Sequence, residues 1–313
     1  MKDLHILPKV RDSWSYLYLE HSVIEQDSKA IAVFDQQGKT QIPCAALSLL
    51  LLGPGTKISH AAIRTLAESG CLVAWTGEES VRFYAVGLGE TRSSANLLRQ
   101  AAMHADEALR LLVVRRMYEI RFGEQLDPSL SLKQIRGKEG VRVRDTYAHW
   151  SKVTGVKWNG RFYKQNDWRK AEPINRALSA ANSCIYGIVH AAIVAAGYSP
   201  ALGFVHTGKM LSFVYDIADL YKAELAIPVA FRCTANGEQK LESRVRHMLR
   251  DTLREQRILA RIVQDLEHLF DTANLDPQQA ALYDRNYAKP GGLWDPEEGE
   301  VPGGVNYADE EEI

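Results

Sequence analysis

Apolar and polar positions alternate with a period near two over residues 1 to about 90, and from Ser93 the period lengthens to about 3.6. In the first part AIAVFD at 30–35 predicts a strand, QQG a turn, and TQIPCAALSLLLLG a further extended or buried stretch. CLVAWTG at 71–77 and VRFYAVG at 81–87 predict a hairpin closed by the polar EES. SHAAIRTLAES at 59–69 predicts one short helix with Ser59 as its N-cap. In the second part five amphipathic or apolar helices follow. They are SANLLRQAAMHADEALRLLVVRRMYEIRFG as one long helix, LSLKQIRGKEGVRVRDTYAHWSKVTG, INRALSAANSCIYGIVHAAIVAAG, SFVYDIADLYKAEL at 212–225, and ESRVRHMLRDTLREQRILARIVQDLEHLFD. The third is apolar nearly all round, which predicts the central buried helix. No internal repeat interrupts this order.

The expected architecture is α+β: a small N-terminal β-sheet (sandwich-like) domain over 1–90, then a larger all-α domain over 91–280. Residues 281–313 are Gly/Pro-rich, acidic and short of aliphatics, the composition of a tail that is disordered when free. Charge refines this division. The segment from Pro290 to Ile313 holds eight acids and no Lys or Arg, and setting those eight aside turns the net charge of −1 into +7. The folded part is therefore mildly basic and suited to phosphate. Cys44, Cys71, Cys184 and Cys233 show no CxxC spacing and read as reduced core residues. MKDLHILPKVRD lacks the apolar h-region of a signal peptide, and no apolar run approaches the ~18 residues of a membrane span. A cytoplasmic protein without a membrane partner is expected.

Candidate chemistry concentrates in GFVHTGKMLSFVYDIADLYK at 203–222. Gly203, Gly208 and Lys209 imitate a phosphate-gripping P-loop, but that loop needs Ser or Thr after the lysine and a strand before the first glycine. Met210 stands in the first place, and a helix end and turn, AAGYSPAL, in the second. Asp216 and Asp219, three apart on a helix, share a face bordered by Phe213, Val214, Ile217 and Leu220, so both carboxylates are expected at the edge of burial. With His206 upstream they offer hard oxygen and imidazole donors for a cation, or else a solvated helix face beside a loop histidine. Glu139 lies between Gly137 and Gly140 in a helix, where each glycine costs roughly 1 kcal/mol against alanine, among Arg136, Lys138, Arg142 and Arg144. Both intrahelical ion pairing and a metal carboxylate inside a phosphate-binding surface fit that pattern. Lys57, Arg64, Arg82, Arg244, Arg246 and Arg250, with Trp158, Arg161, Tyr163, Lys164 and Trp168 in a polar loop, supply cations for phosphates and rings for unpaired bases.

Together GPGTKISHAAIR, IRGKEGVRVR, NSCIYGIVHAAIVAAGYSPALGFVHTGKMLSFVYDIADLYK and the β-then-α order resemble the CRISPR-associated adaptation integrase/endonuclease, type I-E branch, over roughly residues 10 to 270. The resemblance implies metal ligands at Glu139, His206 and Asp219, with Asp216 as a supporting catalytic acid, and Mg2+ or Mn2+ as the cofactor. It implies DNA contacts at Lys209, Arg64, Arg82, Arg244 and Arg246, with Tyr163 and Tyr186 as aromatic positions near the site. His21 stands where the family places a ring that stacks on the duplex end. The implied assembly is a homodimer, two of which flank a dimer of a small companion adaptation protein in a hetero-hexamer. That assembly takes double-stranded DNA with 3′ overhangs and inserts it at CRISPR repeat DNA by 3′-OH transesterification. The acidic tail is then either a segment that orders on the companion or a solubilising extension.

Overall fold

The structure is a computed structural model, and it describes residues 16–28, 30–44, 47, 49–78, 82–87, 94–161, 171–271, 293–296 and 299–301. The β-rich part folds as two four-stranded sheets. One has the order β1 (Tyr16–Leu19), β5 (Leu49–Leu52), β7 (Leu72–Thr76), β8 (Phe83–Gly87), the first three parallel and the last antiparallel. The other has the order β4 (Gly38–Pro43), β3 (Ala30–Asp35), β2 (Val23–Asp27), β6 (Lys57–Ile58). Successive strand residues point to opposite faces. Leu50, Leu52 and Val73 therefore meet Ile24, Ile31 and Val33 of the second sheet and Ala62 and Leu66 of helix α1 (His60–Glu68). Leu49, Leu51, Leu72 and Ala74 turn the other way, into the helical core. The unbroken LLLL run follows from this: a strand buried on both faces has no polar side to show. The change of pattern near residue 91 thus separates two kinds of secondary structure that share one sheet as a common wall. Ser59 caps α1 as expected, accepting from the Ala62 N–H.

The helical part departs from the five-helix expectation in three places. The first long helix is two, α2 (Ala95–Ala105) and α3 (Glu107–Phe122), because Asp106 leaves helical geometry and accepts the Leu109 N–H at 2.8 Å as an N-cap. The last is also two, α8 (Leu241–Glu255) and α9 (Ile258–Leu269), parted at Arg257, whose φ is 48°. The helix expected to stop at 225 runs on. α6 (Ser212–Tyr221) passes through a π-helical turn, Lys222–Ala226, into α7 (Ile227–Ala235). Pro228 supplies the cause. It has no N–H to give within an α-helix, and the wider turn before it lets Ile227 donate to the Lys222 carbonyl instead.

The other two helices form as expected: α4 (Leu132–Thr154), opened by a Ser131–Gln134 capping box, and α5 (Pro173–Ala195). By length and composition α5 could cross a membrane, contrary to the expectation that no run is apolar enough. In this fold it is instead mostly buried, packed against α6, α7, α8, α9 and the β8 strand. Within the acidic segment expected to be disordered, β9 (Leu293–Asp295) pairs antiparallel with β10 (Gly299–Val301). All four cysteines are buried thiols, as expected.

Candidate functional site

Three elements bring the candidate residues together: α4 carries Glu139, the loop after α5 carries His206, and α6 carries Asp216 and Asp219. The loop owes its shape to two glycines and one acid. A Cβ on Gly203 would lie 2.3 Å from the His206 carbonyl oxygen and 2.7 Å from Ser212 Cβ, so only glycine lets the loop close onto the start of α6. Gly208 turns the chain with a φ of 79°. The two glycines that suggested a P-loop thus serve packing, and the segment follows helix α5 rather than a strand.

Asp216 is 0 % exposed, which corrects the expectation that both aspartates sit at the edge of burial. Its Oδ2 accepts the N–H groups of Phe204 at 2.6 Å and Val205 at 3.0 Å, and its Oδ1 accepts the His206 N–H at 2.8 Å and the His206 Nδ1 at 2.7 Å. Three successive backbone N–H groups converge on one carboxylate, the concave geometry that holds an anion without water. A carboxylate accepts only, so Nδ1 carries the proton and in the neutral ring the lone pair is on Nε2. The Asp216 hydrogen bond raises the His206 imidazole above its ordinary pKa, against the opposing effect of burial. Asp216 therefore acts through His206 and the loop rather than on a substrate. Gln100 and Arg110 brace the same loop, Gln100 donating to the Ser199 and Leu202 carbonyls and Arg110 to the Phe204 carbonyl at 3.0 Å.

Asp219 and Glu139 are linked by Arg121 of α3. Its Nη2 lies 3.3 Å from Asp219 Oδ2 and its Nη1 3.6 Å from Glu139 Oε1, with the guanidinium 5.1 Å from the Tyr118 ring. Arg121 is only 5 % exposed, so one buried cation compensates two carboxylates that would otherwise repel. Arg142 adds a two-point pair to Glu139, and Lys222 approaches Asp219 at 2.6 Å while donating to Tyr186 Oη at 2.8 Å. Burial lowers the Lys222 pKa, but the Asp219 charge and Tyr186 outweigh it and raise the value. The Tyr186 ring packs edge-on against Tyr215, which packs edge-on against His206. Sequence reading missed Arg121 and Lys222 as members of the site. The only sign of Arg121 was a charge inside an otherwise apolar helix face, and of Lys222 its three-residue spacing from Asp219.

Lys209 is exposed on the His206 loop. Arg64 pairs loosely with Glu68 on the surface of α1, and Arg82 is exposed beside β8, both in the β-rich part. Arg244 is committed elsewhere: its guanidinium donates to the carbonyls of Asn236, Gly237 and Gln239 and closes the end of α7. Arg246 is half-buried on α8. Tyr163 lies outside the described residues. His21 takes a φ of 47° in the turn after β1, its N–H on the Pro54 carbonyl.

As donors, two carboxylates and a free imidazole Nε2 suit a hard divalent cation. Among the described residues, however, no group of three His, Cys, Asp or Glu side chains stands ready to hold an ion. Glu139 and Asp219 share Arg121 instead. The donor set fits a cation, and the guanidinium contacts are what such a cation would have to replace.

The family model described as CRISPR associated protein Cas1 matches residues 15–127 and 121–268 of the chain. The "CRISPR-associated endonuclease Cas1 2" of Thermus thermophilus is 56 % identical over 306 residues, spanning 98 % of this chain and 94 % of that protein. The "CRISPR-associated endonuclease Cas1" of Escherichia coli is 44 % identical over 269 residues, 86 % of this chain and 88 % of that protein. Among solved structures, the crystal structure of a TtCas1–DNA complex superposes with a TM-score of 0.78 at 57 % identity, covering 84 % of this chain and 99 % of that chain.

Proposed function

The chain belongs to the Cas1 family of CRISPR-associated proteins, and on that premise we propose that it is a metal-dependent DNA endonuclease and integrase of CRISPR adaptation. In this reading it captures short foreign duplexes with 3′ overhangs and joins each 3′-OH to a CRISPR repeat phosphodiester by transesterification. It works as a homodimer beside a small companion protein. The observation that carries the reading is that Arg121 links Glu139 of α4 to Asp219 of α6, while the His206 ring, held by Asp216, lies within the field of the Asp219 charge. The names of the relatives and the DNA complex of one of them support it.

Glu139, His206 and Asp219 would hold Mg2+ or Mn2+. When bound, such an ion polarises a scissile phosphate and stabilises the charge that develops on it. The chain's own residues do the remaining work. Asp216 keeps the His206 ring in one orientation and one tautomer, as a partner behind a metal-binding imidazole does. Lys222, steadied by Tyr186, keeps Asp219 aimed. Lys209, exposed on the same loop, meets a DNA phosphate beside the ion. No side-chain nucleophile is required, because the attacking hydroxyl belongs to DNA.

The test is cleavage and strand transfer on branched and repeat DNA with Mg2+ or Mn2+, with and without EDTA. Wild type is expected to be active only with the metal. Asp219→Ala and His206→Ala are expected to lose chemistry while still binding duplex. Metal-dependent activity persisting in both variants sinks the site assignment, and a protein that only scaffolds DNA gives no cleavage in any arm.

A further inference from the structure

We propose that Arg142 is an intramolecular competitor for Glu139: a guanidinium latch that a divalent cation displaces and that a DNA phosphate draws away. The inference rests on the metal reading above and concerns how that site is loaded. Arg142 Nε donates to Glu139 Oε2 at 2.8 Å and Nη2 to Oε1 at 3.0 Å, so the fork engages both carboxylate oxygens from three residues along the same helix. This is the strongest contact Glu139 makes, shorter than its 3.6 Å approach to Arg121.

The two arginines differ in what they can do. Arg121 is 5 % exposed and anchored to Asp219 and to the Asp216 carbonyl as well, so leaving would strand a buried charge. Arg142 is 28 % exposed, its guanidinium over the Phe122 ring at 5.9 Å, and it can turn to solvent or to a phosphate at less cost than Arg121. The surface beside it is open. Gly137 and Gly140 are exposed, and a Cβ on either would find nothing within 4 Å, so a DNA backbone can come close to the helix next to Glu139. Exposed Arg136 and Lys138 lie along the same stretch. Arg142 has two competing partners of opposite effect. Phosphate on Arg142 frees Glu139 for the cation, and a cation on Glu139 frees Arg142 for phosphate. By linkage the two couplings are equal.

The experiment measures Mn2+ binding directly, by electron paramagnetic resonance of free Mn2+ and by calorimetry, on the full chain at low ionic strength. Without DNA, Arg142→Gln is expected to bind Mn2+ about two- to fivefold more tightly than wild type, the upper part of the range a solvent-accessible ion pair sets. Arg142→Lys, which keeps the charge but not the fork, falls between them and serves if the glutamine variant folds poorly. Adding Glu139→Gln to Arg142→Gln should abolish the gain. A short duplex should tighten Mn2+ binding in wild type and leave Arg142→Gln nearly unchanged. Mn2+ binding in wild type with no gain in either Arg142 variant, their melting curves being intact, overturns the latch alone. No Mn2+ binding by wild type even with duplex present overturns the metal reading, and the latch with it.

Discussion

The two halves of the site meet on helix α6 but are built on different principles. On one side Asp216 is buried and answered by four donors from a single short loop, none of them from Arg or Lys. On the other, one turn away, Asp219 and Glu139 are partly exposed and held by Arg121, Arg142 and Lys222 from three separate helical segments. The first half is neutralised by directed hydrogen bonds inside the protein and has one arrangement. The second is neutralised by side-chain charges that another cation, or another anion, can replace. Two aspartates three residues apart thus stand in unlike settings: one shapes the protein, the other is held by charges that can be replaced.

The largest effect expected from breaking this contrast is Asp216→Ala. It strands three backbone N–H groups in the interior at about 1–3 kcal/mol each before relaxation, so a net loss of about 3–5 kcal/mol and a visibly lower Tm should accompany loss of activity. Gly203→Ala should follow, at about 1–3 kcal/mol, because its Cβ would force the His206 carbonyl from 2.3 Å. Glu139→Gln keeps an acceptor for Arg142 and should change stability by only about 1 kcal/mol while abolishing DNA strand transfer. Thermal melts beside the transfer assay separate the two halves. A stable Asp216→Ala, or a Glu139→Gln as unstable as it, would erase the difference between them.

The smallest effect concerns acid, and it belongs to neither half. His190 on α5 stacks 4.0 Å from Phe83 of β8, and burial lowers its pKa to about 4. Its unfolded value lies near 6.5, so the unfolded chain takes up the proton first. The contribution to stability is whole above about pH 6.5 and is lost as pH falls from there towards about 4. His190→Phe should flatten the fall of Tm across that window and leave Tm at pH 8 nearly unchanged. If the acid limb is the same in both proteins, the titration comes from elsewhere.

Much of this was legible along the chain. Period-two and period-3.6 patterns marked the β-rich and helical parts, Ser59 opened its helix, and α5 was identifiable as central by being apolar all round. Where reading failed, a non-periodic cause had intervened. Asp106 and Arg257 broke helices whose apolar pattern continues straight through them, and Pro228 marked a π-helical turn inside a helix rather than its end.

The site divides in the same way. The residue types and spacing of Glu139, His206, Asp216 and Asp219 lie in the sequence, since donor chemistry is a local property of a side chain. Their roles do not. Which aspartate is buried depends on how α6 is rotated against the loop at Gly203, and what compensates Glu139 and Asp219 depends on α3 placing Arg121 between α4 and α6. Burial and the sign of neighbouring charge are sums over segments far apart in the chain, and only packing brings those segments within reach of one another.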